Sequence, residues 1–184
     1  MLESIRNEMR VFESGAYKLK SDKFPLNSLR VLKLPSEKSL NFTIDDIENL
    51  FEYKKGAYTF MILSLLYPHL KFGQIKFHQD HLHPASLFSQ SKLKKLKTSE
   101  SVWKEWIDKK DTIANLQLLE GFENESKNKS LLKDWVDKEI LTNPTYKALN
   151  YIPDVPLDLD SFEQFYEARK QLIITKFKEI MDIK

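Results

Sequence analysis

The sequence contains no cysteine. This excludes disulfide bonds and zinc sites built on thiolates, and it fits a reducing compartment such as the cytoplasm. A long apolar run is also missing, since the most apolar window, residues 58–67, has about half the length of a membrane-spanning helix. The chain does not open with a basic region and an apolar stretch, so no signal peptide is visible. We therefore expect a cytoplasmic protein with no membrane segment.

An excess of one charge sign is nearly absent as well. The 29 Lys and Arg residues oppose 27 Asp and Glu residues, which leaves a formal net charge of +2. Such a small excess does not indicate a nucleic-acid partner unless the positive side chains gather on one face. The balance of 41% hydrophobic and 30% charged residues is typical of a folded soluble protein. At 184 residues, the chain can form one domain with a core, with or without a short appendage.

The spacing of apolar residues predicts a mostly helical α+β fold. In the N-terminal part we expect a helix over residues 2–14 and a strand over residues 29–34. The helices and strands expected further along the chain are a buried helix at 57–66, strands at 74–82 and 113–119, a helix at 124–140 and a long helix after Ser161. In that last helix, the positions expected to be buried include Phe162, Phe165, Ile173, Phe177 and Ile180. The three tryptophans lie among apolar neighbours at helical spacing, which favours core positions.

Polar residues with the chemistry of phosphodiester hydrolysis flank the two central strands. The residues are Asp80, His81, Pro84, Asn115, Asn124 and Lys127. Hydrolysis needs an activated water and neutralised phosphate charge, and histidine is the side chain best suited to take a proton near neutral pH. The Asp80 carboxylate and the Asn124 amide oxygen are hard ligands, suited to Mg²⁺ or Mn²⁺. Neighbours on a regular strand point to opposite faces, so Asp80 and His81 share a site only where the strand ends, and Pro84 accounts for such an ending.

This spacing resembles the signature of HNH (His-Me finger, ββα-metal) endonucleases, in the variant where asparagine replaces the last histidine. The wider sequence over residues 72–81, 115–127 and 162–169 is similar to the C-terminal nuclease region of GmrSD-like restriction endonucleases. The resemblance covers roughly residues 45–184 and is strongest at 72–128. It implies a domain at 43–184 that contains a ββα finger at about 74–140, preceded by an N-terminal helix and linker-like segment at 1–42.

The resemblance also implies a role for each matching residue and a biological setting. His81 matches the general base, Asp80 and Asn124 match ligands of Mg²⁺ or Mn²⁺, and Asn115 matches the asparagine that braces the loop around the histidine. Lys127 matches a phosphate contact or a structural lysine. The expected activity is DNA cleavage in prokaryotic restriction or anti-phage defence. Relatives often carry an N-terminal nucleotide-hydrolysing domain with an Asp-Gly-Gln-Gln-Arg motif, and the absence of this motif suggests the C-terminal part of a larger protein.

Several alternatives stay open at this point. The lysine run at 92–97, with Lys94 and Lys95, is either a solvated face or a phosphate-contacting patch that Lys129 extends. A zinc site on the histidines at positions 78, 81 and 83 lacks a fourth ligand. Two alternatives to a nuclease domain also stay open: a catalytically silent DNA-binding or assembly module, and a protein-interaction domain. The sequence does not determine the oligomeric state.

Overall fold

The computed structural model describes residues 2–35, 39, 41–96 and 98–183. The fold is α+β and mainly helical, with two small antiparallel sheets. The chain divides into two compact units, Met1–Thr43 and Ile44–Lys184. None of the helices in the described ranges combines the length and the apolar character needed to span a bilayer.

The first unit contains a β-hairpin between two short helices. Its elements are α1 (Leu2–Met9), β1 (Arg10–Glu13), β2 (Ala16–Leu19) and α2 (Leu26–Arg30). Ser14 and Gly15 form the hairpin turn, with φ of 54° and 81°, the left-handed conformations that a two-residue hairpin requires. The predicted helix over residues 2–14 is therefore wrong beyond Met9, because Val11 and Phe12 favour an extended strand and the glycine serves a hairpin.

The predicted strand at residues 29–34 is also wrong. α2 occupies the first part of this stretch, and Leu29 is its buried residue. Pro25 precedes the helix with φ of −84°, close to the value that its ring imposes and that a helix start accepts. Of the leucines in this stretch, only Leu29 lies in α2, and Leu34 is buried after the helix has ended.

The second unit holds the remaining helices and strands. They are α3 (Ile44–Asn49), α4 (Ala57–Leu66), β3 (Phe77–His81), α5 (Gln90–Leu93), α6 (Glu100–Lys109), β4 (Leu116–Glu120), α7 (Gly121–Lys127), α8 (Leu132–Thr142), α9 (Tyr146–Leu149) and α10 (Phe162–Met181). Short 3₁₀ turns include Leu50–Glu52, Ala85–Phe88, Ile113–Asn115 and Leu159–Ser161. The helix predicted at 57–66 and the long helix predicted after Ser161 are both present, but the first is buried on one face only, since Tyr58, Met61 and Leu65 are exposed.

β3 and β4 pair in antiparallel fashion, and α7 follows β4 directly. Both strands are shorter than predicted. The predicted helix at 124–140 is two helices, because α7 ends at Lys127 and Asn128 takes a positive φ of 45°. Asparagine adopts positive φ more readily than other side chains, which favours a chain reversal there. The helix that follows the two strands is therefore the short α7 and not one long helix.

α10 is the centre of the core. Phe162, Phe165, Ile173 and Phe177 on this helix are buried as predicted, whereas Ile180 is 41% exposed. The rings around Phe162 meet it edge-on or tilted; they belong to Phe88, Trp106, Tyr166 and His83. The predicted core positions of Trp103, Trp106 and Trp135 are confirmed.

A fully buried arginine fastens α10 to the start of β4. Arg169 donates from Nη1 to the carbonyl of Ile113 at 2.9 Å and from Nη2 to the carbonyl of Asn150 at 3.2 Å. Nη2 also lies 3.4 Å from the hydroxyl of Tyr67. These oxygens offset the cost of removing the guanidinium from water. The turn before β4 is therefore held by a side chain from the far end of the second unit.

Candidate functional site

Asp80 and His81 are the last two residues of β3, opposite Gln117 and Leu116 of β4. Their side chains have different partners, as the alternation of a strand requires. Asp80 contacts Lys127 of α7 and Gln117 of β4, whereas His81 contacts Asp111. The structure thus places one carboxylate, held by a lysine and a glutamine, on the α7 side and a histidine–carboxylate pair after α6.

Lys127 is a structural residue in this arrangement. Its side chain is fully buried, and Nζ lies 2.8 Å from Oδ2 of Asp80 and donates to the carbonyl of His81 at 2.6 Å. Gln117 donates to the same carboxylate oxygen at 3.2 Å. The predicted substrate-binding role of Lys127 does not fit this geometry, because an ammonium that is buried and paired on both sides is not presented to a phosphate. The structural alternative does fit it.

Asn115 closes the turn that follows β3. Its Oδ1 accepts from the backbone N–H of His83 at 2.9 Å, and its Nδ2 donates to the carbonyls of His83 and Lys110 at 3.1 and 2.9 Å. Its own carbonyl accepts from the N–H of Leu82 at 2.8 Å. A fully buried side-chain amide thus fixes the backbone on both sides of the Leu82–His83 peptide and ties it to the end of α6. Pro84 is buried just beyond and precedes the 3₁₀ turn Ala85–Phe88.

His81 is held by an acidic residue. Nε2 of His81 lies 2.8 Å from Oδ1 of Asp111. Burial lowers the pKa of His81, the hydrogen bond to Asp111 raises it, and the charge of Lys55 lowers it, with a lowered pKa as the result. Burial raises the pKa of Asp111, but the contacts with Lys110 and His81 outweigh this and lower it. At neutral pH the pair is therefore a neutral imidazole donating from Nε2 to a carboxylate, which leaves Nδ1 as the basic nitrogen.

His83 is a core residue. It is 1% exposed, and its ring centroid lies 4.8 Å from that of Phe165 and 5.4 Å from that of Phe162. Burial and, to a smaller extent, the charge of Lys127 lower the pKa of His83 to about 3. Within the described residues, no three histidine or carboxylate side chains are grouped to hold a metal ion, so the zinc alternative has no support there.

The donor set at the α7 side suits a hard divalent cation better than zinc. Asp80 is 12% exposed at its side chain, and its contacts with Lys127 and Gln117 both involve Oδ2, which leaves Oδ1 to act as a ligand. Asn124 is half-buried and lies one turn before Lys127, so it shares the face of α7 that Lys127 directs towards Asp80. One carboxylate and one amide match the sparse protein ligation of Mg²⁺, which keeps several waters. The Asn124 side chain has no hydrogen bond to Asp80 or His81 in the ranges that the structure covers.

Apart from the buried Lys127, the lysines predicted to contact substrate are exposed. Lys94 and Lys95 follow α5, and Lys129 lies between α7 and α8. Lys97 of the same run lies outside the described residues. The exposure of Lys94, Lys95 and Lys129 is compatible with both alternatives, a solvated face and a phosphate-contacting patch.

Two residues of the site were not predicted from the sequence. Asp111 belongs to a charged stretch at the end of α6, where nothing local distinguishes it from a solvated carboxylate. Gln117 had a usable signal, since it is a polar residue within the apolar stretch Leu116–Leu119 and lies opposite Asp80 once the strands are paired. Gln117 is fully buried, so one of the buried positions of β4 is polar.

The residues that carry the HNH resemblance lie on β3, on the turn before β4 and on α7. Compared with protein-family models and with curated proteins, the sequence matches none of them.

Proposed function

We propose that the second unit is a metal-dependent DNA endonuclease domain of the ββα-metal (HNH) type. The observation that carries this proposal is the order of β3, β4 and α7 around one polar cluster. Asp80 and His81 end the first strand, Asn115 clamps the turn that follows it, and the face of α7 that bears Lys127 also bears Asn124. Each element alone is common, and the combination supports hydrolysis of a phosphodiester bond.

His81 is the general base in this proposal. A base must be neutral at the working pH and must present an unprotonated nitrogen to water. Burial keeps the imidazole neutral, and the ionised Asp111 holds the proton on Nε2, so Nδ1 accepts the proton of the attacking water. Within the described residues Nδ1 has no hydrogen bond, which agrees with this role.

Asp80 and Asn124 would hold the divalent ion, Mg²⁺ or Mn²⁺. When bound, such an ion supplies positive charge for the scissile phosphate and the departing oxygen. Lys127 keeps the Asp80 carboxylate oriented by its contact with Oδ2, and its second contact, with the carbonyl of His81, fixes the last peptide of β3. Gln117 fixes the same carboxylate from β4.

The biological setting is proposed on the resemblance alone. Similarity to GmrSD-like restriction endonucleases favours restriction or anti-phage defence in a prokaryotic cytoplasm. It also favours a nucleotide-hydrolysing N-terminal partner, encoded in the same protein or beside it. DNA is the expected substrate.

Plasmid cleavage tests the activity directly. Supercoiled plasmid incubated with the protein and Mg²⁺ or Mn²⁺ should be nicked or linearised, and chelation with EDTA should stop the reaction. His81→Ala should lower the rate by about 10²–10⁴-fold, the usual contribution of a general base. His78→Ala is the matched control, because His78 lies on the same strand and is also half-buried. Equal cutting by the His81 variant and the unmodified protein would refute the assignment of the base.

One observation favours a second candidate, a catalytically silent DNA-binding or assembly module. The buried Lys127 ammonium already neutralises Asp80, and it would repel a divalent ion placed beside it. This candidate predicts DNA binding that weakens steeply with salt, because phosphate contacts release counterions, and no cleavage with any divalent ion.

A further inference from the structure

Two exposed tyrosines flank a pair of lysines beside the candidate site. Tyr53 is 46% exposed and Tyr58 is 68% exposed, and their ring centroids lie 5.9 Å apart at 39°. Lys54 and Lys55 lie between them in the sequence, in the segment before α4. We call residues 53–58 the tyrosine loop. Leaving two large rings in water has a free-energy cost, and the rings are close enough to form one platform.

The tyrosine loop is fixed to the strand that carries the candidate base. Gln79 of β3 accepts from the N–H of Gly56 at 3.3 Å and donates to its carbonyl at 3.0 Å. The N–H of Lys55 donates to the carbonyl of Asp111 at 2.7 Å, and the carboxylate of Asp111 holds His81 at 2.8 Å. The loop backbone is thus hydrogen-bonded directly to Asp111, the residue that holds His81.

The two lysines of the loop differ in their surroundings. Nζ of Lys54 is engaged by Asp108, through both its carbonyl and its carboxylate. The Lys55 side chain is exposed and makes no ion pair with any residue that the structure describes. The backbone N–H of Lys55 donates to Asp111, which holds His81, so the lysine lies close to the candidate base. An available cation therefore lies beside the candidate base.

We propose that the tyrosine loop binds an unpaired stretch of a DNA strand next to the candidate site. A base stacks on Tyr53 and Tyr58, and Lys55 contacts a backbone phosphate. Two kinds of complementarity support this ligand. The exposed aromatic rings match the bases of a single strand, and the cation between them matches its phosphates. Base pairs inside a duplex offer no free face to the rings. This inference rests on the proposed function and narrows its substrate to DNA with unpaired nucleotides at the cleavage point.

Binding without catalysis is the appropriate test. The probe is a fluorescein-labelled single-stranded oligonucleotide, compared with a blunt duplex of the same sequence, measured by anisotropy in EDTA with the full chain. The single strand should bind more tightly. Tyr58→Leu and Tyr53→Leu should each weaken binding about tenfold, the scale of one stacked base, whereas Tyr58→Phe should retain it. The matched control is Tyr17→Leu, a tyrosine of the first unit that is 59% exposed.

Salt dependence tests the lysine separately. Lys55→Ala should lower the slope of log Kd against log salt by about 0.7, the contribution of one phosphate on a single strand. Lys55→Arg should restore the slope, and Lys23→Ala, at an exposed position of the first unit, should leave it unchanged. A substitution that removed only a structural contact would not change this slope, because the slope depends on the number of phosphates that the protein neutralises.

The outcomes separate this inference from the proposed function. Plasmid cleavage together with unchanged single-strand binding in the tyrosine variants would overturn the loop proposal and leave the nuclease proposal standing. Single-strand binding that depends on the loop, without cleavage, would support the loop and refute the nuclease. Equal affinity for the duplex and the single strand, or equal losses in the control variants, would overturn the loop proposal, and the rings would then belong to a protein partner.

Discussion

Acidification should destabilise the folded protein because of His83. This imidazole is buried between the rings of Phe162 and Phe165, and its Nε2 has no hydrogen-bond partner among the residues that the structure describes. Its pKa is about 3 in the folded protein and near the ordinary 6.5 in the unfolded chain. Between these values the unfolded chain binds the extra proton, so the free energy of unfolding falls as the pH falls.

The expected loss follows from the two pKa values. One pKa unit corresponds to about 1.4 kcal/mol, so the loss is about 2 kcal/mol at pH 5 and approaches about 5 kcal/mol near pH 3. The full stability is present above about pH 6.5, where the imidazole is neutral in both states. A loss of about 2 kcal/mol is a substantial part of the 5–15 kcal/mol that typically stabilises a domain.

Urea unfolding at a neutral pH and near pH 5, followed by tryptophan fluorescence, measures this loss. The probes suit the purpose, because Trp103, Trp106 and Trp135 are all buried in the second unit. His83→Leu removes the titrating group and keeps a side chain of similar size among the phenylalanines. The variant should be about as stable as the unmodified protein at neutral pH and should lose about 2 kcal/mol less on acidification. If both proteins lose the same stability, another group is responsible and the argument from burial is refuted.

Three further predictions follow from the contacts of the site. Asp111→Asn should slow plasmid cleavage at least about tenfold, because an amide that donates to Nε2 of His81 would move the ring proton to Nδ1. Asp108→Asn, at an exposed position nearby, is the control. Equal cleavage rates in both variants would count against the assigned tautomer. Asn115→Ala should lower the free energy of unfolding by about 3 kcal/mol or more, since one N–H and two carbonyls lose their partner in a buried place; a loss below about 1 kcal/mol in urea unfolding would contradict this. Lys127→Met should lower the free energy of unfolding by about 3–5 kcal/mol, because it leaves the Asp80 carboxylate unpaired. Neutralising Asp80 in a double variant should recover part of this loss. If the effects of the two substitutions simply add, the two residues are not coupled.

The sequence predicts those elements whose side-chain pattern is local and strong. The apolar run at 57–66 predicts the helix that is present there, and the predicted burial of Phe162 and Phe177 on the last helix is confirmed. The hairpin of the first unit was missed because Ser14 and Gly15 serve equally well to end a helix. The choice between the two depends on strand pairing, which adjacent residues do not reveal.

The candidate site shows the same division between local and distant information. The positions of Asp80 and His81 on one strand are expected from the sequence, because they depend on near neighbours. The burial of Lys127 is not, since its two contacts come from residues far along the chain and exist only after α7 has packed on β3. Asp111 has the same property, because the carboxylate becomes a partner of the histidine only when the end of α6 meets β3.

The buried Arg169 has a consequence for the order of events during protein synthesis. Its guanidinium holds the turn from which Asn115 reaches across to close the loop after β3, and neighbouring rings of α10 form the pocket around His83. α10 leaves the ribosome after every other element of this arrangement has been made. Since segments fold as they emerge, the clamp at the candidate site cannot reach its final form until α10 docks. If the second unit is the nuclease proposed above, a nascent chain that bears Asp80 and His81 would not cleave DNA until α10 has emerged and docked.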